Sequence, residues 1–331
     1  MRAIEDRIGL GLSDFDHLRL KREIHELMLS LLLYQLVQMG TVFLFHFLLT
    51  LLQALGEKMG GSFGGFASEI PGGTSFTAIS SMVGFTLGFL VLQRRMRGRV
   101  CARDIFEGGR RMSLSTFLQL FVLFMCGQAV FTLSATILEK LFNGLGYSLE
   151  ESVKQATSVD SSLAMWIYVG FFAPLLEELV FRGFVLRRIR SYGKRFAILF
   201  SAMIFGVMHA NLPQSIFAFY IGLVLGYIAV TYSIGYTILF HFLNNFVFGC
   251  LLDFLISETG FFGAAEVWYV LDLVFVILGL CVLFCKRRAV AHVCFEHHSP
   301  EGIWRTVFCS PTVVLFLLLE GMLALSLMKK I

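Results

Sequence analysis

The stretch SSLAMWIYVGFFAPLLEELVFRGFVL, residues 161–186, decides the fold class. It is long and apolar enough to cross a lipid bilayer as a helix, because a span needs about 20 mostly apolar residues. Its only charged side chains are Glu177, Glu178 and Arg182, all in the second half. Charged groups inside a span are costly, and by default they indicate a functional site.

The rest of the chain has the same character. Of its 331 residues, 57% are hydrophobic and only 15% are charged, and the mean hydropathy is +0.77. Soluble domains carry about 25% charged residues, so this composition excludes an ordinary soluble enzyme and a disordered chain. The net charge of +4 is too small to indicate a nucleic-acid partner.

Nine apolar runs predict transmembrane helices, so the predicted fold is an all-α polytopic bundle of eight or nine spans. The fifth and sixth runs are separated only by Pro213 and its neighbours. The runs lie near 27–52, 75–93, 113–138, 161–186, 196–212, 214–232, 235–256, 267–285 and 306–328.

The basic residues predict how this bundle is oriented. With a cytoplasmic N-terminus, 21 of the 27 Lys and Arg residues lie in inner segments, as the positive-inside rule requires. Lys329 and Lys330 are the exception and leave a re-entrant or inverted last helix open. Compact loops and the lack of a visible targeting signal lead us to expect a multi-pass protein of the bacterial plasma membrane.

The fourth predicted helix offers an ion pair and a second carboxylate. Glu178 and Arg182 are four residues apart and therefore share a helix face. Glu177 is rotated away from them by about 100° and has no local partner, which suits a general base. The alternative interpretation is a structural ion-pair network of all three side chains.

Polar residues on two further predicted helices reach the same depth. Measured from the predicted inner helix ends at about 1.5 Å per residue, Glu177, His209, His241 and Asn245 lie about 9 to 21 Å deep. This common layer favours one site. Taken singly, His209 could cap a helix end, and His241 with Asn245 could join helices by hydrogen bonds. Asp272 and Glu320 are isolated in other spans and receive no role, although Glu320, near mid-span, is the better candidate for a residue that supports the site.

These residue types fit the hydrolysis of an amide bond. A Glu–His pair activates water as a general base, while a second His with an Asn amide donates to a developing oxyanion. Alternatively, Glu177, His209 and His241 would hold zinc as a His₂Glu catalytic site. The sequence leaves both mechanisms open, so the cofactor is undetermined between zinc and none.

Three motifs, in order within about 70 residues, resemble the CPBP family of CAAX proteases and bacteriocin-processing proteins. They are Glu177-Glu178-Leu-Val-Phe-Arg182, Phe205-Gly-Val-Met-His209 and His241-Phe-Leu-Asn244-Asn245. The resemblance covers roughly residues 160–256. It implies that Glu177 activates water with help from His209, that Glu178 and Arg182 organise the site, and that His241 and Asn245 form the oxyanion hole.

This resemblance divides the chain into four parts. They are a cytoplasmic amphipathic segment (1–26), N-terminal transmembrane helices (27–158), a CPBP-like catalytic core (159–256) and C-terminal transmembrane helices (257–331). Gly84-x-x-x-Gly88 and Gly222-x-x-x-Gly226 predict close helix packing.

The predicted function is that of an intramembrane endopeptidase. Its substrates would be membrane-associated peptides, either lipidated or bacteriocin-like, and its other partner is the bilayer; the oligomeric state is not readable. One alternative is a non-catalytic binding protein, such as an immunity protein or scaffold. A proton-coupled transporter is a further alternative, weakened because no repeated halves are visible.

Overall fold

The computed structural model describes residues 14–59, 73–96, 109–157, 162–259, 263–296, 299 and 301–331. Within these ranges the chain is helical apart from one short two-stranded ribbon and the connecting turns. The predicted N-terminal segment is described only from Asp14 onward, as the start of the first helix. Residues 1–13 lie outside the described residues.

The elements follow one another with short connections. The first part comprises α1 (Asp14–Met59), α2 (Thr74–Arg95), α3 (Leu114–Asn143), β1 (Tyr147–Ser148), α4 (Glu150–Thr157) and α5 (Leu163–Tyr192). The second comprises α6 (Lys194–Val207), α7 (Leu212–Thr231), α8 (Ile234–Phe242, Leu243–Leu252 and Asp253–Thr259), α9 (Ala264–Glu296), α10 (Ile303–Phe308), α11 (Pro311–Ser326) and β2 (Lys329–Lys330).

The helices confirm a polytopic bundle. Across the described residues, seven helices are long and apolar enough to cross a membrane, namely α1, α2, α3, α5, α7, α8 and α9. The predicted runs at 196–212 and 306–328 are also helical, but α6 has 14 residues and α11 has 16. Both are shorter than the usual span of about 20 residues. A count of eight or nine spans and a cytoplasmic N-terminus stay predictions.

Glycines let neighbouring helices approach closely. A Cβ atom on Gly84 of α2 would lie 2.7 Å from the carbonyl oxygen of Gln38 in α1, and one on Gly88 would lie 2.8 Å from that of Tyr34. On α7, a Cβ on Gly222 would lie 3.1 Å from Ala202 of α6. Gly84 and Gly88 therefore exclude any larger residue unless a backbone shifts. Gly222 brings α7 close to α6.

The ribbon holds the C-terminal residues of the chain against the turn that follows α3. Tyr147 pairs with Lys330 and Ser148 with Lys329 in antiparallel register. The Ile331 N–H also donates to the Gly146 carbonyl over 3.0 Å. The last helix therefore ends beside the turn that follows α3.

Candidate active site

Helix α5 carries the two carboxylates between two irregular segments. Tyr168–Phe172 and Leu179–Leu186 are π-helical, and Ala173–Glu178 between them is α-helical. π-helical turns are rare overall, and those that occur are often found at functional sites. Glu177 and Glu178 lie at the end of the α-helical turn between these segments.

A buried ion pair forms the base of the site. Arg182 Nη1 donates to Glu178 Oε1 over 2.8 Å, and neither side chain is exposed. The Arg182 guanidinium carbon lies 4.4 Å from the centre of the Phe205 ring of α6, a favourable cation–π contact. The charge of Glu178 is thus compensated without solvent.

His241 joins α8 to both carboxylates. Its Nδ1 lies 2.9 Å from Glu178 Oε1, and its Nε2 lies 3.7 Å from Glu177 Oε2. The side chain of Glu177 keeps 19% of its surface exposed, whereas that of Glu178 keeps none. Glu177 is therefore the carboxylate that a water molecule or substrate can reach.

His209 lies in a turn, because α6 is shorter than predicted. The expected helix over 196–212 ends at Val207, and Ala210 has a φ of 50° in the turn that follows. His209 Nδ1 lies 2.7 Å from the Phe205 carbonyl oxygen. A carbonyl only accepts, so Nδ1 carries the proton, and Nε2 of the neutral ring is an acceptor.

The Phe205 ring lies between the two imidazoles and contacts both. Its ring centre is 4.8 Å from that of His209 and 6.0 Å from that of His241, both edge-on. The structure thus gathers Glu177, Glu178, Arg182, Phe205, His209 and His241 around one point.

Asn245 takes part in a chain of amides beside this cluster. Its Nδ2 donates to the Val169 carbonyl over 3.1 Å, and its Oδ1 accepts from Asn244 over 2.9 Å. Within the described part of the chain its hydrogen bonds go to these two groups and not to His241. Asn245 lies in the π-helical segment Leu243–Leu252, whereas His241 lies in the α-helical turn before it.

Gln128 of α3 is a residue that sequence reasoning missed. Its Nε2 donates to Asn244 Oδ1 over 2.7 Å, so Asn244 is bonded on both sides rather than merely packed. An amide in the middle of an apolar run was a signal, since such amides commonly join membrane helices.

The side chains as placed do not fit the zinc alternative. Among the residues that the structure describes, no group of three or more His, Cys, Asp or Glu is arranged to hold a metal ion. Glu177 and His241 approach each other, but His209 does not complete a ligand set with them. The chemistry below is therefore derived from the chain's own groups.

The part of the chain that carries this cluster is similar to a known protein family. Residues 159–247 match the family model described as type II CAAX prenyl endopeptidase Rce1-like. This segment is Rce1-like. The family resemblance inferred from the three motifs is confirmed, and the Rce1-like segment contains all of them. Comparisons with curated proteins and with solved structures gave no match.

At the level of the family, the match of this segment supports a CAAX-type intramembrane protease. With the apolar helices, it indicates an integral, multi-pass membrane protein. Such a protein has the lipid bilayer and a peptide as its general partners. Gln128 lies outside the segment, on α3.

Proposed function

We propose that this protein is an intramembrane endopeptidase in which Glu177 activates the water that attacks a peptide carbonyl. The observation that carries the proposal is the contrast between two adjacent carboxylates. Glu178 is sealed and paired with Arg182, whereas Glu177 is partly exposed beside two imidazoles. A partly exposed carboxylate that is not held in a buried ion pair suits a general base.

Water activation uses two acceptors that face the same cluster. The carboxylate of Glu177 accepts one proton of the water, and Nε2 of His209 is a second acceptor, since its Nδ1 is bonded to Phe205. The Glu178–Arg182 pair holds Nδ1 of His241 and thereby fixes this ring. The proton taken from water is later delivered to the leaving amine, as in other general acid–base mechanisms.

Two donors would stabilise the tetrahedral intermediate. Nε2 of His241, when protonated, and the second N–H of Asn245 are available, since their other polar atoms are already bonded. Donors held in place before the reaction lower its barrier most, because they need no reorganisation.

The proposed substrates are short membrane-associated peptides, including peptides with a lipidated cysteine and bacteriocin-like precursors. Two observations support this class: the site lies among apolar helices, and the family name refers to prenylated CAAX peptides. The proposed location is the bacterial plasma membrane.

The test is cleavage by purified protein in liposomes. A mixture of peptides with and without a farnesylated cysteine would be followed by mass spectrometry, with and without a chelator. Loss of the general base in Glu177→Gln should lower kcat by about 10²- to 10⁴-fold, and His209→Ala should lower it as well. Chelator sensitivity would favour a zinc mechanism over the metal-free one.

Glu320→Gln is the matched control for this substitution. Glu320 is a buried carboxylate of α11, 3% exposed, and has no place in the cluster. Its variant should retain the wild-type kcat. Full turnover by Glu177→Gln would refute the mechanism, whereas peptide binding without any cleavage by wild type would favour the non-catalytic alternative.

A further inference from the structure

We propose that Gln128 is a positioning residue that sets the orientation of Asn245 through Asn244. The inference rests on the proposed function, in which Asn245 donates to the oxyanion. Gln128 lies on α3, outside the Rce1-like segment, so this segment would depend on a residue from another part of the chain.

Asn245 donates to a carbonyl of α5 that lacks a helical donor. In the π-helical segment Tyr168–Phe172, the Ala173 N–H donates to the Tyr168 carbonyl. The next residue, Pro174, has no N–H to donate. The Val169 carbonyl is thus left without a helical donor, and Asn245 Nδ2 supplies one over 3.1 Å. A buried carbonyl without a donor would be costly.

The Asn245 amide must point in one direction to serve as an oxyanion donor. Its Oδ1 accepts from Asn244 Nδ2, and one N–H goes to Val169, so the second N–H is the group left for a substrate. A flipped amide would place Oδ1 against the Val169 carbonyl and would present an oxygen to the oxyanion. Only one of the two orientations therefore supports catalysis.

Gln128 holds Asn244 in the orientation that Asn245 requires. Asn244 donates to Asn245 only while its own Oδ1 points away, and Gln128 Nε2 holds that oxygen over 2.7 Å. Asn244 is 8% exposed, so water does not readily replace this donor. Without Gln128 the Asn244 amide is free to turn. The preference of the Asn245 amide for its catalytically useful orientation then weakens.

The position of Gln128 is fixed by contacts of α3 on either side. A Cβ atom on Gly127 would lie 2.7 Å from the Ile221 side chain, so α3 and α7 touch here. The Tyr220 hydroxyl of α7 donates to the Leu123 carbonyl over 2.7 Å, and Cys126 Sγ donates to the Phe275 carbonyl of α9 over 3.1 Å. Gln128 therefore acts from a well-anchored helix.

The test combines Gln128→Met, which keeps the length but loses the donor, with Asn245→Ala. Removing an oxyanion donor costs about 10²- to 10³-fold in kcat, so Gln128→Met, which only misorients it, should cost about 10-fold with KM unchanged. In the Asn245→Ala background, Gln128→Met should have no further effect. An equal fall in kcat in both backgrounds would show that Gln128 does not act through Asn245.

Thr132→Val is the matched control. Thr132 lies one turn further along α3, and its hydroxyl donates to Asp272 of α9 over 2.8 Å, with no link to Asn245. Its variant loses a comparable interhelical hydrogen bond and should keep the wild-type kcat. A tenfold loss of kcat in Thr132→Val would show that the effect of Gln128→Met comes from a general loosening of α3, which would overturn the inference.

A second measurement separates this inference from the proposed function. In protein labelled with ¹⁵N-asparagine, the side-chain amide signals of Asn245, assigned with Asn245→Ala, should shift in Gln128→Met and not in Thr132→Val. Unchanged signals would overturn the inference whatever the activity. Absence of cleavage by wild type with shifted signals would instead refute the proposed function alone.

Discussion

Two ion pairs with the same spacing and length lie in opposite surroundings. Arg182 with Glu178 and Lys154 with Glu150 are each four residues apart on a helix and are joined over 2.8 Å. The first pair has no exposed side-chain surface, whereas the second keeps about two thirds of it exposed. The burial of the pair, and not its geometry, therefore decides what each pair contributes.

At the first pair, Arg182→Met should destabilise the protein by about 3–5 kcal/mol, because Glu178 is left as a buried charge without compensation. Lys154→Met should hardly change the unfolding temperature, since exposed pairs contribute little. Thermal unfolding in detergent measures both variants.

Removing both charges, with Glu178→Gln and Arg182→Met together, provides the control. It should recover part of the stability that Arg182→Met loses, because no uncompensated charge remains. Equal shifts of the unfolding temperature in the Arg182→Met and Lys154→Met variants would contradict the argument from burial.

At the scale of the element, Pro174 leaves the Val169 carbonyl of α5 without a backbone donor. Pro174→Ala should let α5 close its own hydrogen bond to the Val169 carbonyl, which would compete with Asn245. We expect kcat to fall about 3- to 10-fold, as part of the loss of one oxyanion donor, with no loss of thermal stability. Steady-state kinetics and unfolding curves of the same preparation measure the two effects.

Pro213→Ala is the comparison for this change. Pro213 occupies the first turn of α7, where a missing N–H costs nothing. Its variant should retain both activity and stability. A wild-type kcat in Pro174→Ala would show that the free Val169 carbonyl does not matter for the reaction.

Two glycines test the packing of α1 against α2. Gly88→Ala should destabilise the protein by about 1–3 kcal/mol, as overpacking does, because the new methyl group would lie 2.8 Å from the Tyr34 carbonyl oxygen. Gly40→Ala meets no atom within 4 Å and should leave the unfolding temperature unchanged or higher. Similar effects of the two substitutions would contradict the close approach.

At the scale of the whole molecule, the ribbon of β1 and β2 predicts the sidedness of the two chain ends. An epitope tag after Ile331 should be accessible from the same face of sealed vesicles as a tag in the turn before Tyr147. Tags ahead of Met1 and at Gly193, after α5, should be accessible from the opposite face. Protease protection of the four tagged proteins measures this.

The orientation itself is a separate outcome of that experiment. The positive-inside asymmetry predicts that the N-terminal tag is cytoplasmic. If the two ends were accessible from the same face, the number of membrane crossings would be even, and either α6 or α11 would not cross.

The amino-acid sequence by itself determined the helical membrane fold, the positions of the nine helical runs and the three motifs. Apolar length and charged residues within a span are local properties, and the cost of exposing a backbone to lipid leaves few alternatives. The pairing of Glu178 with Arg182 was predictable for the same reason, since it lies within a single helical turn.

Only the tertiary structure decided which distant groups meet. His241 between two carboxylates, Gln128 against Asn244 and the ribbon that holds Lys329 and Lys330 each join residues far apart in the chain. The shortened α6 and the π-helical turns also escaped prediction, because apolar periodicity assumes a regular helix. In α5, side chains of neighbouring helices donate to backbone carbonyls of these turns, Asn245 to Val169 and Ser201 to Phe181.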